Sequence, residues 1–284
     1  AFSISFLPMI INIIIDNMFS ASFGDGKVTQ IYYANILYSA IVTTTVLGVT
    51  SVMFPKFSKA FTKDGIKDFY NQVTGVIKGV SLVLIPMGVG VAILSEPVIR
   101  VVFQRGEFDA VAAQASGQIL AAYSIAMVAY GIIDVLNKGF YTISNTKAPV
   151  ITGLVTIVSN IILTLFFEKV SFIGIPIATS ISFFIGAVVQ IILFHNKENN
   201  FIKNILPTFV KTVISVLLMG LAVFGTKAFI ESISIDNQFL SQCMIILFGM
   251  TIGILVYGIT LIVLKEEMTC SYLQSFRKSK GGED

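Results

Sequence analysis

The apolar residues of this chain fall in continuous runs, with the polar residues gathered between them, rather than in an alternating pattern. A helix needs about 20 predominantly apolar residues to cross a bilayer. Eight runs meet or approach that length: 2–21, 31–54, 76–95, 115–137, 150–167, 172–194, 206–230 and 239–264. The fifth is short, and the fourth is predicted to continue past the membrane to about Ile143. Continuous rather than alternating runs exclude a β-barrel. The pattern predicts an all-α, polytopic transmembrane helix bundle of eight spans joined by short loops.

Composition agrees with the pattern. Hydrophobic residues make up 55% of the 284 and charged residues only 12%, against about 25% charged in soluble domains. The net charge of +3 therefore does not point to nucleic acid; its distribution along the loops matters more. Fourteen of the nineteen Lys and Arg residues fall at the second, fourth and sixth connections and the C-terminus, leaving Lys27, Arg100, Arg105, Lys169 and Lys227 on the other side. That bias places the C-terminus in the cytoplasm. The single histidine, His195, rules out a histidine-built metal site, and Cys243 and Cys270 form no ligand or disulfide pattern. The chain begins inside an apolar segment without Met, and the expectation is the C-terminal part of a longer protein.

Several spans carry polar residues that an inert membrane helix would not need. Residues 121–150 read as an apolar helix holding Asp134, Asn137 and Lys138, followed by a polar turn and Pro149. Asp134 and Lys138 stand at i and i+4 and share a helix face. Charges within an apolar span are costly unless they face protein or a water-filled cavity, so a functional site in the bundle is one reading. The other is a pair at headgroup level, with Lys138 snorkelling outward. The first span holds Asn12, Asp16 and Asn17, and a buried Asp16 requires either a proton or a cation. The fifth span places Asn160 and Thr164 on one face, and Thr179 lies in the sixth. Gly174 and Pro176 are expected to break that sixth span early, making carbonyls near Phe172–Ile175 available as ligands.

The connections suggest fewer roles. Thr43, Thr44, Thr45, Gly48, Thr50 and Ser51 in the second span suit close helix packing. Residues 57–73 alternate apolar and basic positions at helical spacing, as a helix lying in the cytoplasmic interface would. Pro86, Gly88 and Gly90 predict a kink in the third span. Residues 96–110 read as an outer connector with a short helix, a turn at Gly106 and Asp109 as the cap of the next helix. A polar linker at 196–204 separates six spans from a terminal pair at 205–264, followed by a charged tail at 265–284, expected to be disordered or interfacial. No nucleotide-binding loop, metalloprotease motif or nucleophile elbow occurs. An enzyme is not indicated, and gradient-driven transport is.

Four segments together resemble a known family. IYYANILYSAIVTTTVLGVTSVMFPKFSKAF, VVFQRGEFDA, LNKGFYTISNTKAPV and GIPIATSIS are similar, in order and spacing, to blocks of the MurJ/MviN lipid II flippases of the multidrug/oligosaccharidyl-lipid/polysaccharide exporter superfamily. The resemblance covers most of residues 1–195. It implies two six-helix lobes plus a terminal pair, with this chain supplying the second lobe and the pair and a first lobe lying upstream. It implies a multi-pass protein of the bacterial cytoplasmic membrane, with membrane lipids and a lipid-linked glycan, lipid II, as partners. No cofactor is implied beyond a sodium ion. Sodium would be held by Asp16, Asn160, Thr164, Thr179 and the carbonyl of Ile175, all oxygen ligands suited to a hard cation. Substrate would meet Lys138, Asn35 and Asp134. Ile36 replaces an arginine of the family's cavity, which leaves open an exporter of another polysaccharide-linked lipid or a sporulation paralogue; a non-transporting membrane scaffold is a separate alternative.

Overall fold

A computed structural model describes residues 2–24, 26–195, 201–233 and 236–270. Among these, nine α-helices follow one another without strands: α1 (Phe2–Ser20), α2 (Lys27–Lys59), α3 (Ile66–Phe103), α4 (Ala110–Ser124), α5 (Ala126–Thr142), α6 (Lys147–Phe167), α7 (Gly174–Phe194), α8 (Phe201–Ser232) and α9 (Gln238–Val263). α4 and α5 form a single span, so the helices stand where the eight apolar runs predict them. Six spans among the described residues, from α3 to α9, are long and apolar enough to cross a membrane, and the apolar part of α1 is shorter.

In α6, burial is inverted relative to a soluble bundle. α6 buries Thr152, Thr156, Asn160 and Thr164 and exposes Leu154, Val158, Ile162 and Phe166. An outer surface of that kind is stable only against lipid, where the polar groups must be satisfied inside the bundle. The main core lies among α2, α3, α4, α5 and α7, around Ile31, Tyr38, Phe69, Leu84, Tyr123, Leu136 and Phe194. A second core joins the terminal pair to α3, through Ile85 and Leu94 against Val216, Met219, Val223 and Ile245. There the Tyr257 hydroxyl donates to the carbonyl of Leu82 at 2.7 Å.

The structure departs from the expected local elements in five places, each with a local cause. Residues 57–73 do not form one interfacial helix. α2 ends at Lys59, a π turn spans Ala60–Asp64, and Gly65 at φ 91° starts α3, a conformation glycine adopts without strain. The apolar positions Phe57, Phe69 and Val73 are core residues rather than headgroup contacts. α3 runs through Pro86 and Pro97 to Phe103, so the separate short helix in the 96–110 connector is absent, while the turn at Gly106 and the Asp109 cap are present, Ala112 N–H donating to Asp109 at 2.8 Å. α7 begins at Gly174 and is not broken: Pro176 stands in its first turn, where a missing N–H costs no hydrogen bond. Phe201–Asn204 of the expected linker belong to α8, and 196–200 lie outside the described residues. The start of the tail is ordered, because the buried Glu266 accepts from Thr269 N–H at 2.8 Å and from Thr208 at 3.4 Å; residues 271–284 of the tail, and the side chains of Thr50 and Ser51, are not described.

The stretch 121–150 holds a further break that periodicity does not reveal. At Ile125 the helix is interrupted between α4 and α5. The Ser180 hydroxyl, from α7, donates to the carbonyl of Ala122 at 2.6 Å, the acceptor that Ala126 N–H would use in a regular helix. A side chain inserted into the ladder is a recognised cause of such a break. It falls one turn from Tyr123, whose hydroxyl belongs to the site described next.

Candidate cation site and a buried ion pair

Five helices converge on Asp16, which is fully buried at 0% exposure. Thr179 of α7 donates its hydroxyl to the carboxylate, with oxygens at 2.8 and 2.9 Å. Tyr123 of α4 donates from the other side at 2.6 Å. Behind them, Asn160 Nδ2 of α6 donates to Thr179 Oγ1 at 2.8 Å, and Asn35 of α2 bonds the Tyr123 hydroxyl. Ser39 donates to Asn35 Oδ1 at 3.0 Å, which leaves the Asn35 amide nitrogen facing Tyr123. Each hydroxyl thus accepts an amide N–H and passes its own hydrogen to Asp16. The relay places two donors on one carboxylate, as an ionised acid in an apolar medium requires.

The relay does not use all the oxygens present. Asn160 Oδ1 and Thr164 Oγ1 are buried without a hydrogen-bond partner, as are both amide atoms of Asn12, one turn before Asp16 on the same face. None of the ion pairs among the described residues involves Asp16. No three His, Cys, Asp or Glu side chains gather among the described residues, so the donor set is one carboxylate and several neutral oxygens. Such a set balances a single positive charge and suits a hard monovalent cation. Of the positions expected to hold sodium, Asp16, Asn160 and Thr179 are hydrogen-bonded together, and Thr164 lies one turn from Asn160 with its hydroxyl unpartnered. Ile175 is buried in the first turn of α7, one turn before Thr179, with its side chain in the core. The residue that sequence reasoning passed over is Tyr123. Its signal is a phenol inside an apolar span, since a buried tyrosine hydroxyl needs a partner.

The expected substrate residues are arranged differently. Asn35 is buried in the Asp16 relay. Lys138 and Asp134 form an ion pair within α5, 3% and 4% exposed, so Lys138 does not extend outward from the bundle, and neither presents its charge on an open surface of this chain. Beside them Gln190 Nε2 of α7 donates to Asn137 Oδ1 at 2.5 Å. Ile36 is 40% exposed on the outside of α2. A cavity of about 160 Å³ between the ends of α3 and α9, at Arg100, Gln104, Gln238 and Gln242, shares no residue with either cluster.

A helical lobe with an apolar outer surface, a helix pair docked on it and a polar centre buried between its helices together define a portion of a polytopic membrane protein. The family model described as lipid II flippase MurJ matches residues 2–243, and the chain belongs to that family. A probable lipid II flippase MurJ of Vibrio cholerae is 28% identical over 177 residues, 62% of this chain and 34% of that protein. The lipid II flippase MurJ of Thermosipho africanus is 29% identical over 247 residues, 87% of this chain and 47% of that protein. A solved lipid II flippase MurJ in an inward closed conformation superposes with a TM-score of 0.73 at 26% identity, over 93% of this chain and 53% of its own. A transporter of the MOP superfamily from Pyrococcus furiosus, 13% identical with a TM-score of 0.55, shares the fold. The chain spans about half the length of the solved flippase it matches.

Proposed function

We propose that this chain supplies the second lobe and terminal helix pair of a flippase that moves lipid II, an undecaprenyl-diphosphate-linked peptidoglycan precursor, across the bacterial cytoplasmic membrane. The second lobe, residues 1–195, rocks against a first lobe in alternating access around a site near the bilayer midplane, and the terminal pair guides the lipid tail. The C-terminus is cytoplasmic, by the Lys and Arg bias. A sodium ion at Asp16, Asn160, Thr164 and Thr179 couples the cycle to the ion gradient. The observation that carries the substrate class is the family match over residues 2–243; the unpartnered oxygens around Asp16 carry the coupling. The test is rescue of a strain depleted of its own lipid II flippase by the full-length gene, with and without Asp16→Asn. Wild-type rescue and loss of rescue in the variant at equal membrane abundance are the expected results. Failure of the wild type at normal abundance would sink the lipid II assignment.

A second reading, export of a different polysaccharide-linked lipid, is favoured by one position. Arginine recognises diphosphate oxygens through a planar pair of donors, and Ile36 offers none. Lys138 does not replace it, because its charge is neutralised by Asp134.

A further inference from the structure

The inward face of α6 is a continuous polar row. Thr152, Thr156, Asn160 and Thr164 follow one another at i, i+4, and all are buried. At 1.5 Å per residue the row is about 18 Å long, more than half of a hydrocarbon core of about 30 Å. α1 packs against it and carries Pro8, Asn12 and Asp16 at the same spacing. The close approach is visible at Gly153, where an added Cβ would stand 3.2 Å from the Pro8 ring.

The two rows leave their polar atoms underpartnered. Asn12 Oδ1 and Nδ2, Thr152 Oγ1, Asn160 Oδ1 and Thr164 Oγ1 have no hydrogen-bond partner, nor does Gln190 Oε1 at the inner end. Buried polar atoms nearly always find partners, so a row of orphans marks where water or an ion belongs. A separate observation supports this. A cavity of about 10 Å³, bounded by polar Tyr130, Asn137, Thr152 and Thr156 and by apolar Ile133 and Phe183, lies beside the row, about the smallest volume that holds a single water. Thr152, buried and unpartnered, lines it. Asn137 carries the polar lining on to Gln190 and lies next to the Asp134–Lys138 pair. On the α7 side, Gly186 lets that helix approach Thr156 closely, since a Cβ there would stand 2.2 Å from the Thr156 hydroxyl.

We propose that the facing rows of α1 and α6 form a hydrated file through which the monovalent cation of the Asp16 site exchanges with the inner face of the membrane. The inference rests on the reading of Asp16 as a cation site. The cation leaves the carboxylate past Asn12 and Thr156 to the Thr152 cavity and reaches Asn137, held at each step by neutral hydroxyl and amide oxygens and water. Neutral ligands bind weakly enough for release, as conduction between sites requires. The charged groups at the inner end, Asp134 and Lys138, cancel each other, so they neither trap nor repel the ion strongly.

The test uses full-length protein in proteoliposomes with Cys243 and Cys270 replaced by Ser. Thr152→Cys, Thr156→Cys and the lipid-facing Val158→Cys are exposed one at a time to silver ion, a thiol-reactive monovalent cation of nearly the size of sodium. Unreacted thiol is then counted by maleimide labelling after denaturation. Both file positions should react on the order of tenfold faster than Val158→Cys, because a cation enters a hydrated path but not the acyl chains. Equal rates at all three positions, or reaction at only one file position or neither, would overturn the file. A second arm replaces the Thr152 hydroxyl by a methyl group in Thr152→Val. Sodium-dependent thermal stabilisation should persist while release of radioactive sodium slows several-fold; unchanged release overturns the proposal. Absence of any sodium-dependent stabilisation in the wild type would instead remove the Asp16 site, and the silver rates would still report on the file by themselves.

Discussion

Asp16 is met by hydroxyls from two other helices, 107 and 163 residues away in the chain, whereas Asp134 is met by Lys138 one turn along its own helix. Both carboxylates are buried, but they differ in what neutralises them. The Asp134–Lys138 pair joins opposite charges one turn apart on α5. The Asp16 relay has donors but no fixed cation, and it exists only when α1, α2, α4, α6 and α7 have assembled. An ion pair between neighbours on one helix brings its own counter-charge. An acid ringed by hydroxyls and unpartnered oxygens keeps a place for a charge that comes and goes.

Lys138→Met should have the largest effect, since it leaves a buried Asp134 unpaired. Breaking such a pair on one side costs about 3–5 kcal/mol, whereas replacing both partners by apolar residues is often neutral. Thermal unfolding in detergent should therefore show a deep loss in Lys138→Met and near recovery in the double variant Asp134→Leu/Lys138→Met. If the double variant stays as unstable as the single one, Lys138 is not the counter-charge described.

Asp16→Asn should behave in the opposite way, with little loss in sodium-free buffer but no response to sodium. A ligand at about a hundred times its dissociation constant adds about 2.7 kcal/mol to unfolding, and that increment should appear in the wild type and vanish in the variant. A sodium response retained in Asp16→Asn would place the ion elsewhere. Tyr123→Phe removes one of the two donors to the carboxylate. The expected loss is about 2 kcal/mol, in the range of hydrogen bonds to charged groups, together with a weaker sodium response. Equal stability of Tyr123→Phe and wild type would mean that the phenol is not holding a charged group. Ser39→Ala, at the outer end of the relay and only half-buried, should cost no more than about 1 kcal/mol. A larger loss would show that the relay acts as one coupled unit rather than as a series of separate bonds.

The polar residues inside the spans were legible because a bilayer makes them conspicuous. Asp16, Asn160, Thr164 and Thr179 stand out as exceptions in apolar runs, and an exception there has a cost that something must offset. Tyr123 did not stand out, because a tyrosine in such a run passes as an aromatic packing residue until its hydroxyl is seen on Asp16. Asn35 is buried in the structure. Its position in the chain suggested the substrate side, whereas the turn of α2 carries it inward to Tyr123 while Ile36 faces outward. The break at Ile125 was likewise invisible, since it comes from Ser180, 55 positions further along the chain.

The order of the spans, their membrane character and the i, i+4 pairing of Asp134 with Lys138 follow from the sequence alone. They depend on local quantities: the length of an apolar run, helical periodicity and the cost of a backbone in lipid. The tertiary structure decided which way each polar face turned. It joined Asp16 to Tyr123 and Thr179, buried the Lys138 charge, began α7 at Gly174 with Pro176 in its first turn rather than breaking the helix there, and set the polar row of α6 against α1. These are choices among helix rotations and neighbours that leave the apolar pattern of every span unchanged. They are settled by polar groups finding partners across helices, an energy that exists only when the lobe is assembled.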